Sequence, residues 1–436
     1  MPSPQFESWG RVFRFRHQSL PLQEFLSTAR SAQTKSFLVY GNGRSYGDTC
    51  LNDDNFLIDL KAQNNLIGFN ATNGVIRCQA GMRFDQLLPH IVPQGWFLPV
   101  TPGTKFVTVG GAIANDVHGK NHHRDGSFGH HVISLKLLRS DGQELVCSRN
   151  SNEDLFRATI GGLGLTGAIL EAEFHLIPIT SPYMDAQVIR FESIEDFLQL
   201  SNESDAQFRY TVAWLDLVSS SRAIKGVFFR GNHSKQTVQS TKESVAKIMR
   251  PKITVPFDFP SITLNPISML LFNNAYWRLH RKFAEEKTHF NAFFYPLDKV
   301  LGWNRLYGRN GFLQLQFVLP LSKTEHLKVL LGKIAKSRRG SFLCVAKKFG
   351  SQTPPGMLSF PLEGITIAID FPNNAACRAL YKEAERFVVT NNGRLYPAKD
   401  AMMSGLSFHS TFDAQSFLPF IDPKFSSTFW RRVSQR

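Results

Sequence analysis

Three glycine-bearing stretches in the first half of the chain offer chemistry through their backbone. Gly41-Asn42-Gly43-Arg44-Ser45-Tyr46-Gly47-Asp48 follows the apolar run Phe37 to Tyr40. Its glycines allow backbone N–H groups to converge on an anion such as a pyrophosphate. A plain tight turn is the alternative, because the stretch is neither a Walker A loop nor a dinucleotide-fold fingerprint. A second stretch, Thr101-Pro102-Gly103-Thr104, leads into Val107-Thr108-Val109-Gly110-Gly111-Ala112-Ile113-Ala114-Asn115, where paired glycines and small residues suit a helix start packed against a ligand. A third, Gly161-Gly162-Leu163-Gly164-Leu165-Thr166-Gly167, precedes an expected strand. Together they point to one extended, phosphate-bearing cofactor threaded between two lobes.

The segment His118-Gly119-Lys120-Asn121-His122-His123, with His130 and His131, gathers five of the thirteen histidines, which raises metal binding. On a helix His118 and His122 would share a face, but Gly119, Gly126 and Gly129 oppose a regular helix and only Asp116 and Asp125 supply carboxylates. No metal is therefore expected. Histidines satisfied near a loop remain one reading; the other, carried forward, has His118 and Lys120 facing a ligand with hydrogen bonds and positive charge.

Short β-rich runs must position these loops: Phe37 to Tyr40, Val75 to Gln79, Val132 to Leu138, Glu144 to Cys147 and Ala168 to Ile177, with Ser140-Asp141-Gly142-Gln143 as a hairpin turn. Further strands are expected at Phe208 to Leu217, Lys225 to Arg230, Phe312 to Leu319, Ser341 to Ala346 and Gly364 to Phe371. The alternation Gln314-Leu315-Gln316-Phe317-Val318 gives that sheet one open polar face fit to hold a substrate. Pro251 to Trp277, rich in Pro, Phe, Ile and Leu without clean periodicity, reads as a long mobile loop. A helix from about Arg378 to Val389 is closed by Gly393. The resulting organisation is 1–178, 179–375 and 376–436.

A chain of 436 residues, 42% hydrophobic and 19% charged, has ample core and is not expected to be disordered. No run is apolar enough for a membrane span, and the stretch from Met1 to His17 lacks a signal-peptide core. A soluble, unexported protein is the expectation. Cys50, Cys78, Cys147, Cys344 and Cys377 lie far apart and read as buried thiols. The net charge of +15 attracts phosphates, acidic lipid headgroups or nucleic acid; part of it lies in Arg222 to Lys252 and in Arg278 to Lys282.

Gly41 to Asp48, Pro102 to Gly129 and Gly393 to Asp400 together resemble the decaprenylphosphoryl-β-D-ribose 2-oxidase family, within the vanillyl-alcohol-oxidase/p-cresol-methylhydroxylase-type flavoproteins. The run from Gly110 to His123 is the most specific part, and the likeness is weakest from Val218 to Arg309. The resemblance implies an α+β fold: a two-lobed FAD-binding domain (1–178), a substrate domain with an antiparallel sheet (179–375), and a C-terminal segment (376–436) returning to the FAD domain with the catalytic lysine. By the same resemblance, FAD would be lined by Asn42, Gly43, Arg44, Ser45, Tyr46, Gly103, Thr104, Thr108, Val109, Gly110, Gly111, Asn115, Val117, His118, Gly119, Ile169 and Tyr396. Arg44 stands near the place where the wider superfamily often has a flavin-linking histidine, so FAD is expected to be non-covalent.

Arg394-Leu395-Tyr396-Pro397-Ala398-Lys399-Asp400 resembles the family segment that supplies the catalytic lysine. Lys399, with His118 and Tyr396, is the expected catalytic group. Oxidising an alcohol with flavin requires a base for the hydroxyl proton, and a desolvated lysine beside other cations has its pKa lowered towards neutrality; a surface lysine paired with Asp400 is the plain alternative. The substrate positions implied are Lys120, Trp214, Gln314, Gln316, Lys347 or Lys348, and Phe349. Ala368 stands where mycobacterial members carry cysteine. The implied reaction oxidises the C2 hydroxyl of a polyprenyl-phosphoryl pentose to a 2-keto sugar, with an NADH-dependent reductase completing an epimerisation to arabinose. The expected setting is cytoplasmic, peripheral to the inner membrane. An oxidase of free sugars or polyols is the alternative enzyme; a non-catalytic nucleic-acid-binding protein fits the charge but has no recognisable binding module.

Overall fold

The computed structural model describes residues 6–219, 224–260, 263–340 and 342–434. Residues 1–5, 220–223, 261–262 and 341, which fall in stretches named above, lie outside the described residues.

The N-terminal part holds two sheets. Phe56–Asp59 lies between Gln18–Pro21 and Phe37–Tyr40 in a parallel three-stranded sheet. Leu66–Asn70, Val75–Gln79, Ala168–His175, Val132–Leu138 and Glu144–Ser148 follow in that order in an antiparallel five-stranded sheet. The turn joining the last pair closes with Arg139 N–H donating to the Gln143 carbonyl, and Gly142 takes a left-handed φ of 93°.

The rest is organised by an antiparallel eight-stranded sheet: Phe283–His289, Tyr183–Phe191, Gly226–His233, Tyr210–Leu215, Cys344–Phe349, Gly364–Pro372, Phe312–Leu319 and Arg394–Leu395. Period-two patterning decides its faces. In Phe312–Leu319, Leu313, Leu315, Phe317 and Leu319 enter an apolar core with Ile365, Ile367 and Ile369. Helices Thr324–Ser337 and Ala375–Thr390 supply Leu327, Leu331, Tyr381 and Ala384 to that core. Gln314 and Gln316 therefore point the other way, and each is only 4% exposed. The polar face is covered, not open as its alternation alone suggested, because the glycine-loop elements lie over it.

Two further expectations change. Residues 251–277 are not a continuous loop: Pro266–Leu279 is a helix of 14 residues, with the Asn265 side chain accepting from Ile267 and Ser268 N–H and proline in its first turn. The helix after residue 374 runs Ala375–Thr390, and its left-handed exit is taken by Asn392, at φ 60°. Among the described residues no helix is long and apolar enough to cross a membrane.

Candidate active site

The polar face of the eight-stranded sheet floors a cavity of about 720 Å³. Trp214, Gln314, Gln316, Lys347 and Ala368 line it from four neighbouring strands. Above the floor sit the three glycine stretches, represented by Gly43, Gly110 and Gly164. Gly43 has φ 58°, and a side chain there would run into the Tyr40 hydroxyl and the Glu7 carbonyl. At Gly47 a Cβ would collide with the Asp400 carbonyl, so glycine lets the first loop lie directly on the Lys399 segment. Tyr46 N–H donates to the Ala398 carbonyl at 2.9 Å, fixing the same join.

The donor set in this cavity suits a dinucleotide. The backbone N–H groups of residues 42–45 have no acceptor among the described residues. Arg44 is stacked between Trp9 and Phe106, 4.4 and 5.0 Å from their ring centroids, and its buried Nε has no partner. Asn115 Oδ1 is likewise buried and unpaired. Nothing would meet a Cβ at Gly103 within 4 Å, so its backbone faces open space. Unpaired buried groups are costly unless something satisfies them, and together these offer N–H donors, a guanidinium and an amide acceptor to a diphosphate and a heterocycle. FAD fits that set.

Lys120, Lys347 and Lys399 line the cavity, none of them with a carboxylate within salt-bridge distance among the described residues. The Lys399 ammonium lies 3.7 Å from the Tyr46 ring centroid and has no hydrogen-bond acceptor among the described residues. Burial, then the Lys347 charge, lowers it to about 7, with Asp370 opposing. Burial lowers Lys120 to about 7, assisted by Lys347, and lowers Lys347 itself to about 8. At neutral pH each amine is thus poised between an anion-binding cation and a base. His118 is held neutral, far below the usual histidine range, by burial and then by Lys347. Its Nε2 lies 2.8 Å from the Gln316 amide nitrogen and its Nδ1 3.4 Å from Lys347 Nζ. The Tyr396 hydroxyl donates to the Asn115 carbonyl at 2.8 Å.

Of the residues singled out in the sequence, Asn42 to Tyr46, Gly103, Thr104, Thr108, Gly110, Gly111, Asn115, Val117 to Lys120, Trp214, Ile169, Gln314, Gln316, Lys347, Tyr396 and Lys399 line this cavity. Three do not. Val109 is fully buried in the apolar core. Lys348, one residue out of phase with Lys347, leaves the opposite face of its strand and pairs with Asp205. Phe349 packs behind the wall, against His118 and His122. The other histidines take separate carbonyl partners: His123 at Phe208, His130 at Thr353, His131 at Asp125. Asp400 does not pair with Lys399 but with Arg432.

Sequence reasoning passed over Phe272 and Tyr276, which reach the cavity from the unforeseen helix, and Asp370, behind its floor. A single acid within the apolar run from Ile365 to Phe371, in phase with Thr366 and Ala368, was the available signal for Asp370.

The FAD binding domain family matches residues 18–148. Over 386 residues, 87% of this chain and 83% of the relative, the sequence is 36% identical to decaprenylphosphoryl-β-D-ribose oxidase of Mycolicibacterium smegmatis. The chain belongs to the decaprenylphosphoryl-β-D-ribose oxidase family. The chain is also similar to L-gulonolactone oxidase of Mus musculus, 29% identical over 41% of this chain and 43% of that protein. A D-arabinono-1,4-lactone oxidase of Candida glabrata is 23% identical over 43% of this chain and 38% of that protein. The protein is accordingly an FAD-dependent oxidoreductase with an α+β flavin-oxidase fold.

Proposed function

We propose that this oxidase converts the C2 hydroxyl of a polyprenyl-phosphoryl ribose to a 2-keto sugar. The observation that carries the reading is the cavity, where three half-buried lysines, Lys120, Lys347 and Lys399, converge beside two buried glutamines of its floor. Lys120 and Lys347 supply cations for the phosphate. Gln316 and Gln314 present amides to the sugar, and the buried Gln314 Oε1 has no partner, an acceptor that a substrate hydroxyl satisfies.

Bound FAD supplies the two-electron acceptor for the carbinol hydride. Lys399, as a neutral amine, takes the hydroxyl proton at Nζ. Tyr46, stacked under that amine, and the wall formed by Trp214 keep bulk water from competing for it. His118 stays neutral throughout and orients Gln316, while Tyr396 ties the lysine segment to the helix carrying Asn115. In this reading the parallel and five-stranded sheets are the two lobes of an FAD domain spanning 1–178, residues 179–375 hold substrate, and 376–436 return the base. Attachment of FAD is non-covalent, and yellow colour left in an acid-precipitated pellet would refute that.

The product test is direct. Incubation with polyprenyl-phosphoryl ribose should give a keto sugar that takes up deuterium at C2 on borodeuteride reduction. Turnover of free polyols or lactones with the lipid-linked sugar untouched would replace this reading with a soluble-sugar oxidase. An NADH-dependent short-chain reductase is the proposed consumer of the ketone.

The lipid tail calls for a membrane surface, and the protein is proposed to sit on the cytoplasmic side of the inner membrane. Helix Pro266–Leu279 supports this. Asn273 anchors it through Asp216 at 2.9 Å, Phe272 and Tyr276 line the cavity, and Ile267, Leu271 and Leu279 are 70, 66 and 83% exposed. Exposed Arg278 lies in its last turn and exposed Arg281 and Lys282 just beyond it, so apolar and cationic groups meet lipid together. Wild type should co-sediment with anionic liposomes at low salt. Replacing Ile267, Leu271 and Leu279 with serine should weaken binding about ten-fold per side chain; wild type left in the supernatant would contradict the proposal.

A further inference from the structure

We propose that Asp370 is a positioning residue for the base: its carboxylate, held behind the cavity floor by Gln314 and Tyr307, faces the ammonium formed when Lys399 receives the substrate proton. The inference rests on the reading of Lys399 as that base. It starts from an oddity of the sheet. Asp370 is fully buried on the strand Gly364–Pro372, yet among the described residues no cationic nitrogen lies within salt-bridge distance of it. Its hydrogen bonds come from neutral donors, the Gln314 amide at 2.5 Å and the Tyr307 hydroxyl at 3.3 Å. A buried carboxylate without a contacting cation is unfavourable unless it is needed.

The connection to Lys399 is continuous. The Tyr307 ring stacks on Phe312, Phe312 packs edge-on against Tyr46, and the Lys399 ammonium rests on the Tyr46 ring. Lys120, Lys347 and Lys399 make the cavity positive, and Asp370 is the carboxylate whose field acts on Lys399. In the reaction the O–H bond breaks, its electron pair becomes the second carbon–oxygen bond, the hydride leaves carbon for the flavin, and the proton bonds to Nζ. Without Asp370 that new positive charge would form beside Lys347 with no opposing charge. Besides the Gln314 amide, four titratable groups face the carboxylate: Lys399 from the C-terminal segment, Tyr307 from the turn before the strand Phe312–Leu319, Tyr46 from the first glycine loop, and the Cys344 thiol from the adjacent strand. Burial lifts Asp370 to about 7, against the pull of Gln314, Lys399 and Tyr307. Loss of either donor therefore weakens the carboxylate.

The test is the pH profile of flavin reduction in FAD-loaded enzyme, with the visible spectrum confirming loading. Because Asp370 raises the Lys399 pKa, Asp370→Asn should move the acid limb about one unit towards lower pH. The plateau should also fall, since a weaker base abstracts less readily. Asp370→Glu should restore the limb. Tyr307→Phe, which keeps the ring packing, should move it in the same direction as Asn by less, and serves if Asp370→Asn does not fold. Acid limbs of Asp370→Asn and Tyr307→Phe that superimpose on wild type would overturn the inference. Normal flavin reduction by Lys399→Ala would instead sink the reading of Lys399 itself.

Discussion

Lys399→Ala protein should bind FAD, remain folded and stay yellow when substrate is added. Removing this side chain breaks no hydrogen bond among the described residues and relieves the burial of an amine, so folding should not suffer. What disappears is the proposed proton acceptor, and positioned general bases contribute roughly 10²–10⁴-fold. The rate of flavin reduction should fall by that factor, while the dissociation constant for substrate changes little because Lys120 and Lys347 remain. In wild type the rate should rise as the pH passes upward through about 7, where Lys399 loses its proton and becomes a base; in the alanine variant that limb should vanish. Stopped-flow reduction across pH measures both, and an unchanged rate or limb would show that another group takes the proton.

The second large effect lies at the far end of the chain. Arg432 donates through Nε and Nη2 to Asp48 at 3.0 and 2.7 Å, and through Nη2 to Asp400 at 2.9 Å, while Nη1 reaches the Met403 carbonyl. Both carboxylates are 1% exposed. One belongs to the first glycine loop and the other follows Lys399, so one guanidinium pins the cofactor loop to the base. Arg432→Ala leaves two buried like charges facing each other. Breaking a buried pair by deleting one partner costs about 3–5 kcal/mol, and a matching fall in melting temperature with loss of flavin on gel filtration is expected. A variant that melts with wild type and keeps its flavin would contradict this. Arg432→Lys should recover only part of the loss, since an ammonium cannot reproduce the bidentate fork on Asp48.

How far these residues were legible depended on whether local pattern or tertiary register decides them. Phe312–Leu319 was readable to the residue, because a strand with one core face alternates strictly. The glycine stretches were readable because their neighbours are strands and backbone donors need no long-range partner. Lys347 and Lys348 were not separable: only the pairing of Lys347 with Thr366 and Lys348 with Ile365 says which faces the cavity. Pro266–Leu279 escaped because its apolar residues surround the helix and leave no period, although Asn265-Pro266 was a start signal. Phe283–His289 escaped for a different reason. It is an edge strand carrying Glu285, Glu286 and Lys287, with no residue fully buried, so it offers no apolar alternation. Asp370 and Arg432 act through partners far away in sequence, which no local pattern reports.

The central proposal is that a lipid-linked ribose gives this flavoprotein a hydride while Lys399 takes its hydroxyl proton. Anaerobic titration with polyprenyl-phosphoryl ribose, followed by visible absorption, tests it most directly. Stoichiometric bleaching of the bound flavin, absent in Lys399→Ala, is the predicted result. A flavin band untouched by this substrate, or bleached equally in both proteins, would contradict it.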